Sequence, residues 1–200
     1  MNQGMGTSKR LLIMTVGKTH SGKTTFAKKL EQALQNSMVM DQDNHAAFIN
    51  THYQKLQPTD GPNTLKHAVS ELIVRYSIEQ TNLHLIISNA NRNRKGRKDL
   101  LAKFFPEKEF YRILVHFDIP DEVLHERVEK STRNTNIFRG ASHFKQVLIR
   151  QQEESLLEEV TDPEEREGDR LFIIKDNSQE EEVIQEIIKI VEIRDDLQRI

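Results

Sequence analysis

The chain contains no cysteine. That excludes disulfides, thiolate zinc sites and cysteine nucleophiles, and it is compatible with the cytosol. Long apolar runs are missing too: nothing approaches the ~18 residues that a membrane helix needs. The opening stretch MNQGMGTSKR also lacks the apolar centre of a signal peptide. Charge of one sign is not in excess, since 29 Lys and Arg stand against 31 Asp and Glu for a net −2. Any basic surface therefore has to be local. Internal repeats and long linkers are absent. The expectation is a cytoplasmic chain without a membrane partner, with 200 residues that suit one domain and a real core.

What is present is an alternation of short apolar runs with helical stripes. RLLIMTVG reads as a strand buried on both faces, and Phe26, Ala27, Leu30, Ala33 and Leu34 then repeat at helical spacing. SMVMDQD, NLHLIISNAN, FYRILVHFD and DRLFIIKD read as further strands. Between them lie a stripe of Leu65, Ala68, Val69, Leu72, Ile73 and Tyr76, a helix ending near Phe105, and IPDEVLHERVEK. The polar stretch RNTNIFRGAS reads as a loop, followed by a long helix to about Val160. This alternation predicts an α/β fold with a mainly parallel sheet covered on both faces. The expected organisation is one domain over 1–200, with a flexible N-terminus at 1–9, a surface loop at 57–63 and a lid at about 131–141. Val183, Ile184, Ile187, Ile188 and Val191 are expected to pack on the sheet rather than to form a dimer seam, giving a monomer or weak dimer.

The stretch GKTHSGKTT contains two Lys-Thr pairs. A phosphate loop has the form G-x-x-x-x-G-K-[ST], and Gly17, Gly22, Lys23 and Thr24 satisfy it. Lys18 and Thr19 would need a glycine at position 12, which is Leu12. The second pair therefore does the work, and Lys18 reads as a solvated residue of the loop leading in. Strand, turn and helix bring backbone N–H groups and the positive helix end onto an anion. Gly17, Lys18, Thr19, His20, Ser21, Gly22, Lys23, Thr24 and Thr25 form the expected ATP site. Lys23 is assigned to the β- and γ-phosphates and Thr24 to Mg²⁺. The histidines show none of the zinc spacings, so no metal beyond Mg²⁺ is expected.

A guanine-reading Asn-Lys-x-Asp is absent, and so is an ABC-type signature. The strand LHLIIS leads to Asn89 rather than to an Asp-Glu pair. A phosphoryl-transfer kinase instead needs an acid beside the acceptor hydroxyl and positive charge over the transferred group. The second strand ends in Asp41 and Asp43, where parallel strands open on a ligand crevice. Asp43 is preferred as catalytic base and Mg²⁺ neighbour, with Asp41 the second candidate; one of the two is expected to cap the next helix. Positive charge is available from RNRKGRK (92–98), where Arg92 and Arg94 stand at a helix start whose dipole they oppose. The other source is Arg127, Arg133 and Arg139 around the polar loop.

GKTHSGKTT, MDQDN, LIISNANRNRKGR and HFDIPDEVLHERVEKSTR, in that order, resemble the P-loop kinases of the polynucleotide-kinase and zeta-toxin group. DQDN is also similar to the Asp-Gly-Asp-Asn of adenylylsulfate kinases. The resemblance covers roughly residues 10 to 175. It implies a three-layer P-loop NTPase fold with a five-stranded parallel sheet in the order 2-3-1-4-5, ATP with Mg²⁺, and an arginine-bearing lid. It places the catalytic aspartate on MDQDN, and Asn89 and Asn91 on the active-site floor near acceptor or metal. The chain departs from the family's pattern in three ways. Asn89 stands where an aspartate is common, and His45 stands where an arginine grips a substrate phosphate. Arg127 and Arg133 are also further apart than the usual lid pair. The implied function is transfer of the γ-phosphoryl group of ATP to a hydroxyl of a small molecule or a nucleic-acid 5′ end. The alternatives are an ATP-binding regulatory protein without transfer and a toxin-like nucleotide-sugar kinase.

Overall fold

A parallel sheet has helices on both faces, so its strands carry continuous apolar runs. A computed structural model describes residues 9–196 and is built this way. The central strand β1 (Arg10–Gly17) and the neighbouring β4 (Phe110–Phe117) are the two longest. The shorter β2 (Ser37–Met40), β3 (His84–Ile87) and β5 (Arg170–Ile174) complete one sheet in the order β2-β3-β1-β4-β5, with every pairing parallel. This is the P-loop NTPase order that the resemblance implied.

The helices are α1 (Lys23–Ala33), α2 (Gln42–His52), α3 (Thr64–Gln80), α4 (Arg94–Phe104), α5 (Asp121–Glu129), α6 (Phe144–Glu154) and α7 (Glu180–Asp196). Successive side chains of β1 alternate between faces. Leu11 and Ile13 pack into a core with α1, α5, α6 and α7, while Leu12 and Met14 pack on the other side with α3 and α4. Val183, Ile184 and Ile187 are buried in the first of these cores, as the terminal stripe predicts. Among the described residues no helix is long and apolar enough to cross a membrane.

Three expectations change. The stripe Leu65 to Tyr76 is not the buried face of α3: Leu72 and Tyr76 are 66% and 64% exposed, while Ser70, Val74 and Ser77 are buried. Both serine hydroxyls donate to the carbonyl four residues back, at 2.8 Å, so they enter the interior without an unmet hydrogen bond. The helix after the polar loop stops at Glu154, and turns rather than helix carry the chain on to Val160. Helix α2 was visible only as something an aspartate would cap. The N-terminal segment expected to be flexible lies outside the described residues apart from Lys9.

Candidate active site

The C-terminal end of β1 turns sharply into α1, and the backbone there requires glycine twice. Gly17 and Gly22 have φ of +150° and +106°. A Cβ on Gly17 would sit 2.9 Å from the carbonyl oxygen of Phe117, and one on Gly22 would sit 2.2 Å from Asn177 Nδ2. The loop is held from outside. Gly17 N–H donates to Ala90 O at 2.9 Å, and Thr19 N–H donates to Gln151 Oε1 at 2.7 Å. Arg127 donates to the carbonyl of His20 at 3.2 Å, and Asn177 donates to that of Ser21 at 3.1 Å. Lys18 is not simply solvated, since its ammonium meets Asp121 at 2.6 Å. It ties the loop to the start of α5.

His20 adopts the left-handed region at φ 60°. Its ring contacts the Thr19 hydroxyl at 3.0 Å and the Ser131 hydroxyl at 2.8 Å. Burial, then the cations Arg133, Lys23 and Arg127, push its pKa down to about 4, so the ring is neutral near pH 7. The Lys23 ammonium bonds to Lys18 O and to Ser21 Oγ, the latter at 3.1 Å. Burial lowers its pKa to about 7, against the pull of Asp43 and Asp41. An anion brought to the loop would restore its charge.

Opposite the loop stands the end of β2. Asp41 is the N-cap of α2: its Oδ1 accepts from Asp43 N–H at 2.8 Å, and its Oδ2 accepts from Thr24 Oγ1 at 3.4 Å. Burial raises the pKa of Asp41, offset in part by the Asp43 N–H. Asp43, one residue into the first turn, faces the polar loop, where Arg133 reaches it at 3.4 Å while lying 4.9 Å over the ring of Phe144. Asn89 Oδ1 accepts from Gln42 N–H at 3.3 Å, which fixes the start of α2. Asn91 donates to Thr15 O at 2.9 Å, so it braces β1.

His20, Lys23, Thr24, Asp43, Asn89, Asn91 and Arg133 line a cleft of about 760 Å³, with Asp41 behind Thr24; Lys66, Arg139 and Arg150 line it too. Arg139 donates to the carbonyls of Pro58 and Gly61. His45 turns away to Ser70 at 2.8 Å. The basic run is already engaged elsewhere. Arg92 pairs with Glu154 at 3.4 Å, Arg94 with Glu164 at 3.1 Å, and Arg97, fully buried, with Glu167 at 2.8 Å. Neither Arg92 nor Arg94 is on the cleft wall. Among the described residues no cluster of three His, Asp or Glu could hold a metal unaided. Thr24, Asp41 and Asp43 nevertheless offer oxygen donors only, which suits a Mg²⁺ that takes its remaining ligands from phosphate and water.

Sequence reasoning missed Asp121, Gln151, Asn177 and Lys66. Asn177 comes three residues after the end of β5, and the rule that ligand sites gather at the ends of parallel strands could have found it. Gln151 and Lys66 carry no such signal.

Fold and loop together define a P-loop kinase-type nucleotide-binding domain. The profile of a family described as "AAA domain" matches residues 12–155, and the chain belongs to that family. No curated protein matches it. Solved structures do. The Mycobacterium tuberculosis APS kinase CysC in complex with AMPPNP and APS is 16% identical, with a TM-score of 0.56 over 92% of this chain and 98% of that one. Shikimate kinase from Bacteroides thetaiotaomicron is 15% identical, with a TM-score of 0.53 over 91% and 98%. Chaetomium thermophilum Kti12 in complex with ADP-AlF3 is 16% identical, with a TM-score of 0.56 over 89% and 97%. At such identities the likeness is one of fold.

Proposed function

We propose that the chain is an ATP-dependent kinase that phosphorylates a hydroxyl group. One observation carries the reading: the phosphate loop faces Asp43 across a single cleft, and the segment after α5 reaches both sides, with Ser131 at His20 and Arg133 at Asp43. That arrangement supplies a phosphate cradle, a base and a mobile positive charge, the parts that phosphoryl transfer requires. Two of the fold neighbours are themselves named as kinases, and one of those is in complex with AMPPNP and APS.

In this reading the loop from Gly17 to Thr25 holds the triphosphate, with Lys23 on the β- and γ-phosphates. The acceptor oxygen forms a bond to the γ-phosphorus as the bond to the β,γ-bridging oxygen breaks. Asp43 takes the acceptor's proton, and ADP leaves. Thr24, with Asp41 behind it, would hold Mg²⁺, which neutralises charge developing on the phosphates when bound. Residues 131–141 act as a lid whose Arg133 exchanges Asp43 for the transferred phosphate, while Arg127 supports the loop through His20. Arg139 and the floor residues Asn89 and Asn91 border the acceptor. The balanced charge and the lack of cysteine fit a cytoplasmic protein of one domain.

A second reading is ATP binding without transfer, motivated by Asn89 occupying a floor position with a side chain committed to the backbone of Gln42. The deciding experiment is a thermal-shift screen of nucleotides, then ADP release with 5′-hydroxyl oligonucleotides, nucleosides, sugars and antibiotics as acceptors. Acceptor-dependent ADP release that fails in Asp43→Ala supports the kinase. Tight ATP binding with no acceptor-dependent release from any of them would sink it.

A further inference from the structure

The cleft continues past Asp43 to a wall formed by the start of α3, where Lys66 stands. Asn63 caps that helix by accepting from Lys66 N–H at 3.1 Å, which pins the backbone from which the side chain extends. Lys66 is half-buried, yet among the described residues its ammonium makes no ion pair within 4 Å and no hydrogen bond. Of the other cations on the cleft wall, Arg133 and Arg150 each have a carboxylate, and the Lys23 ammonium bonds to Lys18 O and Ser21 Oγ. Arg139, exposed on the polar loop that lines the same cleft, is held by the carbonyls of Pro58 and Gly61 and, among the described residues, has no carboxylate within 4 Å. The first turn of α3 has no acid, so the helix dipole adds to the positive field instead of offsetting it.

An unpaired, half-buried ammonium is costly, and a lysine stem is long enough to carry its head out to water. Here burial instead pushes the Lys66 pKa down, Arg139 pushes it further, and Asp43 and Asp41 pull it up from beyond ion-pair distance. The charged lining of the cleft comprises Lys23, Lys66, Arg133, Arg139 and Arg150 against the single carboxylate of Asp43. The triphosphate accounts for the cations at the loop end. It does not account for Lys66 and Arg139 at the other end.

We infer that Lys66, with Arg139 beside it, is the acceptor-recognition site, and that the acceptor carries a phosphate group in addition to the hydroxyl presented to Asp43. The inference rests on the kinase reading for the hydroxyl, but not for the binding of the anion. A compact lysine charge suits a phosphate, whose several oxygens accept from it without a fixed fork geometry.

The test uses matched acceptors: adenosine 3′-phosphate against adenosine, a 5′-hydroxyl dinucleotide against its nucleoside, and fructose 6-phosphate against fructose. Binding is measured by calorimetry on the full chain saturated with AMPPNP, for the wild type, Lys66→Ala and Lys66→Arg. The phosphorylated member of at least one pair should bind ten-fold or more tightly than its partner. Lys66→Ala should erase that gap without changing AMPPNP affinity, and Lys66→Arg should keep most of it. Which pair shows the gap identifies a mononucleotide, a nucleic-acid end or a sugar phosphate as the source. No gap in any pair, or a gap that survives Lys66→Ala, overturns the inference. Turnover separates the two claims. A Lys66-dependent gap without transfer keeps the anion site and removes the kinase. Transfer to unphosphorylated acceptors at a kcat/KM indifferent to Lys66 does the reverse. A loss of kcat that is equal for all acceptors means that Lys66 merely tunes Asp43, and this too overturns it.

Discussion

Asp41 accepts the hydroxyl of Thr24 at 3.4 Å with one carboxylate oxygen and the N–H of Asp43 at 2.8 Å with the other. One side chain thus joins the phosphate loop to the helix that carries the proposed base. The two aspartates, both candidates for the base in sequence with Asp43 preferred, now have separable consequences. Asp41→Ala removes a helix cap and should cost about 0.5–2 kcal/mol of stability along with most turnover. Asp43→Ala removes no such contact and should leave stability within roughly 0.5 kcal/mol while lowering kcat by about 10²–10⁴-fold. Urea unfolding beside steady-state kinetics distinguishes them. Equal stability losses would refute the division of roles.

The Lys23 ammonium should make ATP binding pH-dependent. Its pKa lies near 7, below the ordinary lysine value of 10.5, because burial outweighs the nearby aspartates. Between those values the unfolded chain holds more protons than the folded one, so the nucleotide-free protein gains stability as pH rises through this window. Binding works in the opposite direction, since the phosphates need the charged form. ATP affinity should fall as pH climbs above about 7, and binding at pH 8 should take up a proton. Calorimetry in two buffers of different ionisation enthalpy measures that uptake. Lys23→Ala should abolish it and reduce turnover by about 10²–10³-fold.

The phosphate loop was legible in sequence because its demands are local: two glycines at positive φ, then Lys23 and Thr24 opening a helix. The strands were legible for the same reason, since β1 is buried along nearly its whole length. Helix α2 was not, because only Ala46 and Ile49 of its residues are buried and no stripe forms. In α3 the apolar residues mislead, because serines that bond to their own helix occupy the buried face. The basic run misled for a different reason. Arg97 and Glu167 are 70 residues apart in the chain, and nothing local announces that the charge is already spoken for.

That pair yields a stability prediction. Arg97 donates to both Glu167 oxygens at 2.8 and 2.9 Å, and to the carbonyls of Asn91, Arg92 and Thr161. The side chains are 0% and 1% exposed. Burial alone would raise the Glu167 pKa, but Arg97 holds it below the usual carboxylate range. Arg97→Ala strands a buried carboxylate and should destabilise the fold by about 3–5 kcal/mol. Lys95→Ala, in the same run but solvent-exposed, should change stability by less than roughly 0.5 kcal/mol. Denaturant midpoints for the two variants decide whether this segment is structural. Similar small effects would return it to the list of anion-binding surfaces.

Gly22 tests how the loop is enforced. Its φ of +106° disfavours any side chain, and a Cβ there would meet Asn177 at 2.2 Å and the Glu180 carboxylate at 2.8 Å. Two separate costs are therefore superposed, backbone strain of about 1–3 kcal/mol and a steric clash with the turn after β5. Gly22→Ala should be destabilised by at least the first and should lose ATP binding. Trimming Asn177 to alanine removes the nearest obstacle but not the strain, and it also releases the carbonyl of Ser21. The double variant Gly22→Ala, Asn177→Ala should therefore be less destabilised than the sum of the single changes, yet still below the wild type in ATP affinity. Strict additivity in unfolding free energy would show that the loop is set by the backbone alone and that Asn177 does not constrain it.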